Sequence, residues 1–279
     1  MTPYELPLPL PLSLAAFFES VFAESPAAAA LIGCGGKTSL LWFLAQAFRH
    51  KKVLVTVTTK FRRPPPESGL YDFCYPYNAG IPAEKLAAAD GAAAQAGITV
   101  ACTVDEKTGK ASALPPAILE GLLPRFDVTV IEADGSRRLP LKGWADYEPV
   151  VPAACTHTVG ILPVWPLGRP ADETIIHRLP LFLEQSGAQP GKPVEAAHIA
   201  HLISNPNGLF RAGRGKKILF FNQVESAAGL ETAHKITSLL PAGFRRSLTS
   251  IIAGSVRLGS IAVITSPLFP RDISFALSM

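Results

Sequence analysis

The chain of 279 residues is 48% hydrophobic and 17% charged, which excludes a disordered protein and allows one large α/β domain. Lys and Arg number 26 against 22 Asp and Glu, a net charge of +4 that is too small to argue for nucleic acid or a membrane surface. Cys34, Cys74, Cys102 and Cys155 are far apart and form no C-x-x-C pair, so neither a zinc knuckle nor a disulfide framework is expected, and reduced thiols in a cytoplasmic protein fit best.

Met1 to Leu14 is apolar but lacks the basic leader of a signal peptide, and its prolines at 7, 9 and 11 oppose a helical apolar segment. Residues 1–25 therefore read as an N-terminal extension with no assigned element. No apolar run elsewhere is long enough to span a bilayer. Ala27 to Ile32 reads as a buried strand running into a glycine cluster. The stretch from Thr38 to Arg49 follows as a helix, with Leu40, Leu41, Leu44, Ala45 and Phe48 recurring on one face. Val53 to Val57 is the next strand. Pro64-Pro65-Pro66 interrupts regular structure, and the alanine-rich 83–96 stretch suits an exposed helix.

Further strands are expected at 98–104, 126–131, 157–162, 217–221 and 260–265, with helices near 172–185, 194–203 and 227–239. This alternation predicts a single α/β domain over residues 1–279, P-loop NTPase-like, with a mostly parallel sheet and helices on both faces.

The turn after the first buried strand, Gly33-Cys34-Gly35-Gly36-Lys37-Thr38, has the composition of a phosphate-binding loop. Glycines let the main chain approach a phosphate, helix N-terminal amides donate to it, Lys37 adds a fixed cation, and the Thr38 hydroxyl suits Mg²⁺. The position six before Lys37 is Leu31, so the loop is shorter than or shaped differently from G-x-x-x-x-G-K-[ST]. Gly33, Gly35, Gly36, Lys37, Thr38 and Ser39 are the expected contacts of ATP or GTP.

Phe126 to Ile131 runs into Glu132-Ala133-Asp134-Gly135, the acidic partner that such a loop requires. Strand alternation places Glu132 and Asp134 on one side, both reaching a single crevice, as metal ligands with Thr38 and as catalytic acids with Lys37. Thr58, Thr59 and Lys60 close the second strand. With Lys37, Lys60, Arg62, Arg63, Arg137, Arg138 and Lys142 they surround an anionic ligand larger than one phosphate, about half of these cations touching it, and Arg137 is the candidate catalytic arginine.

Asn222-Gln223-Val224-Glu225 follows an apolar run and resembles the Asn-Lys-x-Asp element of GTP-binding proteins; a plain strand-to-helix cap is the alternative. His177-Arg178, expected on a helix from Asp172, offers a base or a phosphate contact, or else a surface pair. Arg211 to Lys217 reads as a solvated loop, and Cys34 as a small filler, its alternative being a low-pKa thiolate able to carry sulfur or selenium.

Taken together, Gly33-x-Gly35-Gly36-Lys37-Thr38, Thr56-x-Thr58-Thr59-Lys60, Glu132-Ala133-Asp134-Gly135-Ser136-Arg137-Arg138 through Lys142, Glu148-Pro149-Val150-Val151-Pro152, His177-Arg178 and Asn222-Gln223-Val224-Glu225 resemble the YqeC-type accessory proteins of selenium-dependent molybdenum hydroxylases. The resemblance implies a cytoplasmic nucleotide-binding protein acting in the making or insertion of a selenium-containing molybdenum cofactor. Its expected partners are a nucleoside triphosphate and the molybdenum cofactor or the hydroxylase itself, with no nucleic acid and no membrane. A Mg²⁺-dependent hydrolase is the leading expectation; a small-molecule phosphotransferase and a non-hydrolysing, nucleotide-regulated delivery protein are the alternatives.

Overall fold

The computed structural model describes residues 12–61, 63–77, 95–104 and 111–267. Its elements in chain order are β1 (Leu12–Ser13), α1 (Leu14–Val21), β2 (Ala27–Gly33), α2 (Lys37–Ala47), β3 (Lys52–Val57), β4 (Lys60–Phe61), β5 (Phe73–Tyr77), β6 (Gly97–Val104) and β7 (Ala111–Ser112). They continue with α3 (Pro116–Leu122), β8 (Val128–Glu132), β9 (Leu141–Lys142), β10 (His157–Pro163), β11 (Ile176–His177), α4 (Leu179–Ser186), α5 (Ala196–Ser204), β12 (Lys216–Asn222), α6 (Ala227–Leu239), α7 (Ala242–Ser247), β13 (Ser250–Ser255) and β14 (Ser260–Thr265).

One 12-stranded sheet runs β1-β14-β13-β12-β10-β2-β8-β3-β6-β7-β4, with β5 also paired to β6. The pairs from β13 through β12, β10, β2, β8, β3 and β6 to β5 are parallel, and antiparallel strands finish the edges: β14 and β1 on one side, β7 and β4 on the other. Parallel strands buried on both faces are apolar at every position, and β2 follows this along its whole length.

Its side chains alternate between two cores. Ala27, Ala29 and Leu31 face Leu14, Phe17 and Phe18 of α1 and Leu40, Leu41 and Leu44 of α2. Ala28, Ala30 and Ile32 face the side occupied by α3, α4, α5 and α6, through Leu119, Phe182, Ile199, Leu202 and Ile236. The expected α/β architecture with helices on both faces is therefore the one observed.

Residues 12–22 of the N-terminal extension belong to the body of the domain. Ser13 caps α1 by accepting from the Ala16 amide, the Phe17 and Phe18 rings meet edge to face at 5.3 Å, and Phe22 lies 5.6 Å from Phe48. Burying each of these rings contributes about 1.5–3 kcal/mol.

The helix expected over 172–185 begins only at Leu179. Pro180 has no amide hydrogen and fits only the first turn of a helix, while Asp172 folds the preceding segment into a turn by accepting from the Thr174 amide. His177 consequently lies in β11, paired with β9, and Arg178 takes a left-handed conformation at the start of α4. Most of the expected 83–96 helix falls outside the described residues, as does Arg62. Among the described residues, no helix is long and apolar enough to cross a membrane.

Candidate functional site

The carboxyl ends of β8, β2, β10, β12 and β13 lie side by side, and the glycine loop leaves β2 between β8 and β10 in this row. The loop's shape depends on its glycines. Gly33 has φ +100°, and a Cβ there would come within 2.2 Å of the Ile161 carbonyl oxygen on β10; Gly36 has φ +127°, and its Cβ would meet Asn222 Nδ2 at 2.2 Å. No side chain caps the N-terminus of α2. Its first-turn amides, from Lys37 to Ser39, therefore have no acceptor within the helix and carry the positive end of the helix dipole.

The two acids expected to share one crevice both act on Lys37 but differ in burial and in hydrogen-bond partners. Glu132, at the end of β8, is only partly buried and accepts from Thr38 Oγ1 at 2.8 Å. Asp134 is fully buried beneath the loop, which departs from its expected role as a metal ligand: it accepts from the Gly33 amide at 3.2 and 3.0 Å and from Trp144 Nε1 at 2.9 Å. Its two oxygens also face Lys37 Nζ and Lys142 Nζ, each at 3.3 Å. Alternation fails as a guide here because β8 stops at Glu132, so that Asp134 lies beyond the regular strand.

Lys37 is 4% exposed, its ammonium donating to the Gly33 carbonyl at 2.5 Å beside Asp134. Burial works against that charge, yet the Asp134 and Glu132 carboxylates hold its pKa above the ordinary lysine value. Burial likewise opposes the charge on Asp134, but Lys37 and Lys142, helped by the Gly33 and Trp144 donors, keep its carboxyl below the usual range. For Glu132 burial prevails over Lys37 and Thr38, and its carboxyl is raised. Burial pushes the Cys34 thiol up to about 12 despite Lys37 and Lys142, the direction opposite to that of an activated thiolate.

Lys142, expected among the ligand-facing cations, is 0% exposed and donates to the Gly135 carbonyl and to Glu148 Oε1, both at 2.6 Å. Glu148 also pairs with Arg178, which reaches Tyr147 Oη at 2.9 Å. A chain of alternating charge, Lys37, Asp134, Lys142, Glu148 and Arg178, buried as far as Glu148, thus runs from the glycine loop to α4. Segments distant in sequence supply it, and the roles of Lys142, Trp144 and Arg178 could not be read from spacing alone.

Thr58 Oγ1 is engaged by the Val150 carbonyl at 2.8 Å, which docks the Glu148-to-Pro152 segment beside the loop. Thr59 is half-buried, while Lys60, Arg137 and Arg138 are exposed. Arg63 turns to Cys74 Sγ at 2.7 Å, away from its expected place. Among the described residues, no cluster of three or more His, Cys, Asp or Glu side chains forms a metal centre.

The family model described as YqeC protein matches residues 29–180, more than half of the chain. The chain belongs to the YqeC family. It is also similar to a protein of Escherichia coli (strain K12) named Uncharacterized protein YqeC, 28% identical over 194 residues that cover 67% of this chain and 72% of the relative. No solved structure matches. The YqeC match runs from β2 into α4 and so takes in the whole charge chain, whereas the ends of β12 and β13 lie beyond it.

Proposed function

We propose that this YqeC-family chain binds and hydrolyses a nucleoside triphosphate, ATP or GTP, with Mg²⁺, and that it does so in the maturation of a selenium-containing molybdenum cofactor for a molybdenum hydroxylase. The observation that carries the nucleotide reading is the uncapped N-terminus of α2 with the Thr38 hydroxyl and the Glu132 carboxylate meeting at 2.8 Å beside it. Free amides and the helix dipole attract phosphate oxygens. The Lys37 ammonium, held in reserve by Gly33 and Asp134, needs only a side-chain rotation to exchange those partners for a phosphate.

The donor set suits Mg²⁺, since a hydroxyl and a carboxylate are both hard oxygen ligands and leave the remaining positions to water and phosphate. When bound, the ion neutralises charge on the phosphate chain. Asp134 then serves as a positioning residue that braces Gly33 and Lys37. Arg137 and Arg138 are exposed on the turn after Gly135, and this reading assigns them to the outer phosphate. The role in cofactor maturation, together with the hydroxylase or its molybdenum cofactor as partner, is supported by the family resemblance alone.

A transferase reading is favoured by one observation. His177 is half-buried on β11, which pairs with β9 beside the buried Lys142, and burial, with Arg178, Lys142 and Arg137, keeps its imidazole below the ordinary pKa, the direction a general base requires.

Lys37→Ala separates these ideas from a purely structural turn. Turnover of γ-labelled nucleotide should fall at least about a hundredfold with the circular dichroism unchanged. Label released as inorganic phosphate means hydrolysis, whereas label on a small molecule means transfer. Tight binding without turnover, even with the hydroxylase present, leaves a delivery role; unchanged turnover in the variant contradicts the assignment.

A further inference from the structure

The other flank of the phosphate loop carries a second constellation that the phosphate chemistry does not use. With β10 between them, β2 is followed in the sheet by β12 and β13, whose carboxyl ends lie on the opposite side of the loop from Glu132. Asn222, at the end of β12, is 3% exposed and ties the three segments together. Its Nδ2 donates to the Gly35 carbonyl at 2.7 Å, and its Oδ1 accepts from the Val256 amide, just past β13, at 3.0 Å. Whatever binds at this flank is thereby held in fixed register with the phosphate loop.

Three residues on, the Glu225 carboxylate is oriented by Ser255 Oγ, which donates to Oε1 at 2.6 Å. Its remaining donors come from one side chain: Arg257 gives Nε to Oε1 at 3.1 Å and a second N–H to Oε2. This is a two-pronged fork seated on a carboxylate. Arg257 is 70% exposed, so the fork sits on an arm that can swing into water, whereas Ser255 and Asn222 stay in place. Beside it Trp165 Nε1 donates to Gln223 Oε1 at 2.7 Å, which holds an indole ring 44% exposed at the mouth of the same flank.

We infer that this flank binds the nucleobase and selects guanine, with Glu225 accepting the N1–H and 2-amino donors of the base in place of the Arg257 fork. Guanine presents two adjacent N–H groups on that edge, as the guanidinium does. Adenine presents an N1 lone pair, which a carboxylate repels, and lacks the 2-amino group. The Arg169 guanidinium lies over one face of Trp165, 4.8 Å from the ring centroid, and the opposite face is the one offered to the base. The inference rests on the nucleotide reading and specifies it: the ligand is a guanosine nucleotide.

The test is calorimetric titration of the 279-residue chain, with Mg²⁺, using GTP, ITP, ATP and XTP. GTP should bind at least about tenfold tighter than ATP, with ITP between them because it keeps N1–H and loses the 2-amino group. Glu225→Gln should lose that preference and gain XTP, whose 2-oxo group accepts from the new amide, while Arg257→Ala should keep the preference for GTP. The comparison of GTP, ITP and ATP on the wild-type chain stands even if a variant fails to fold. Equal or ATP-favouring affinities that still depend on Lys37 overturn guanine selection and leave nucleotide binding intact. Loss of all binding overturns both.

Discussion

Asp134→Asn is the perturbation that bears hardest on the different settings of the two acids. The side chain has no exposed surface, and its two oxygens serve the Gly33 amide, Trp144 Nε1, Lys37 and Lys142 at 2.9 to 3.3 Å. The amide keeps one acceptor oxygen and turns two N–H donors toward groups that are themselves donors. Breaking a buried ion pair by removing one partner costs about 3–5 kcal/mol. Lys142 keeps Glu148 at 2.6 Å and Lys37 keeps the Gly33 carbonyl, so the loss should fall at the lower end, about 3 kcal/mol.

The Asp134 carboxyl is held below its usual range, so the stability it contributes is present above the unfolded value near 4 and is lost as pH falls through the folded one. The assay is urea unfolding followed by circular dichroism at pH 7, with Lys37→Met and the double variant completing a cycle. The double variant should lose less than the two single losses added together. A loss below about 1 kcal/mol, or strict additivity, refutes a load shared between Asp134 and Lys37.

Glu132→Gln should behave in the opposite way, unfolding no more easily than wild type, because burial already disfavours the charge that the amide removes. Its nucleotide affinity should lose its dependence on Mg²⁺, which calorimetry with and without the ion measures. Gly33→Ala places a Cβ 2.2 Å from the Ile161 carbonyl at a φ of +100°; it should lower the melting midpoint by several degrees and weaken nucleotide binding, and an unshifted melt would contradict the loop geometry. His157 is buried against Phe22 and burial, followed by Lys216, lowers its pKa to about 4. Its neutral form therefore stabilises the fold fully above about pH 6.5, and up to about 3 kcal/mol is lost as pH falls toward 4. His157→Gln should flatten this part of the stability profile, and parallel profiles would show that another group is responsible.

Much of the fold is legible in the sequence because parallel strands and their covering helices leave strong local patterns. The buried runs from Ala27 to Gly33 and from Val128 to Ile131 are of this kind, as are the amphipathic helices around Leu40 and Ile199. Elements were missed where that signal is weak. β13 reads Ser-Ile-Ile-Ala-Gly-Ser, and its glycine and serines hide a strand whose every residue is buried. α1 follows a proline-rich run that draws attention away from Phe17 and Phe18. Pro180 marks where α4 begins, because a proline fits only the first turn of a helix.

The site divides in the same way. Lys37, Thr38 and Glu132 come from chemistry confined to short motifs, and the structure brings them together. The burial of Lys142, its pairing with Glu148 and the seating of Trp144 on Asp134 arise within one irregular segment, 134–148, whose turns follow neither helical nor strand periodicity and so leave no spacing to read. The Asn222-to-Glu225 motif was visible, but its partners Ser255 and Arg257 were not, because the strand that presents them was itself missed.

The central claim is that the loop from Gly33 to Thr38 is the phosphate site of a nucleotide-binding protein. Calorimetric titration of wild-type chain and Lys37→Ala with nucleoside triphosphate, each with and without Mg²⁺, tests it most directly. The account predicts saturable, Mg²⁺-strengthened binding at one site per chain in the wild type, and affinity at least about tenfold weaker in a folded variant. Absence of binding by the wild type, or equal binding by both proteins, would contradict it.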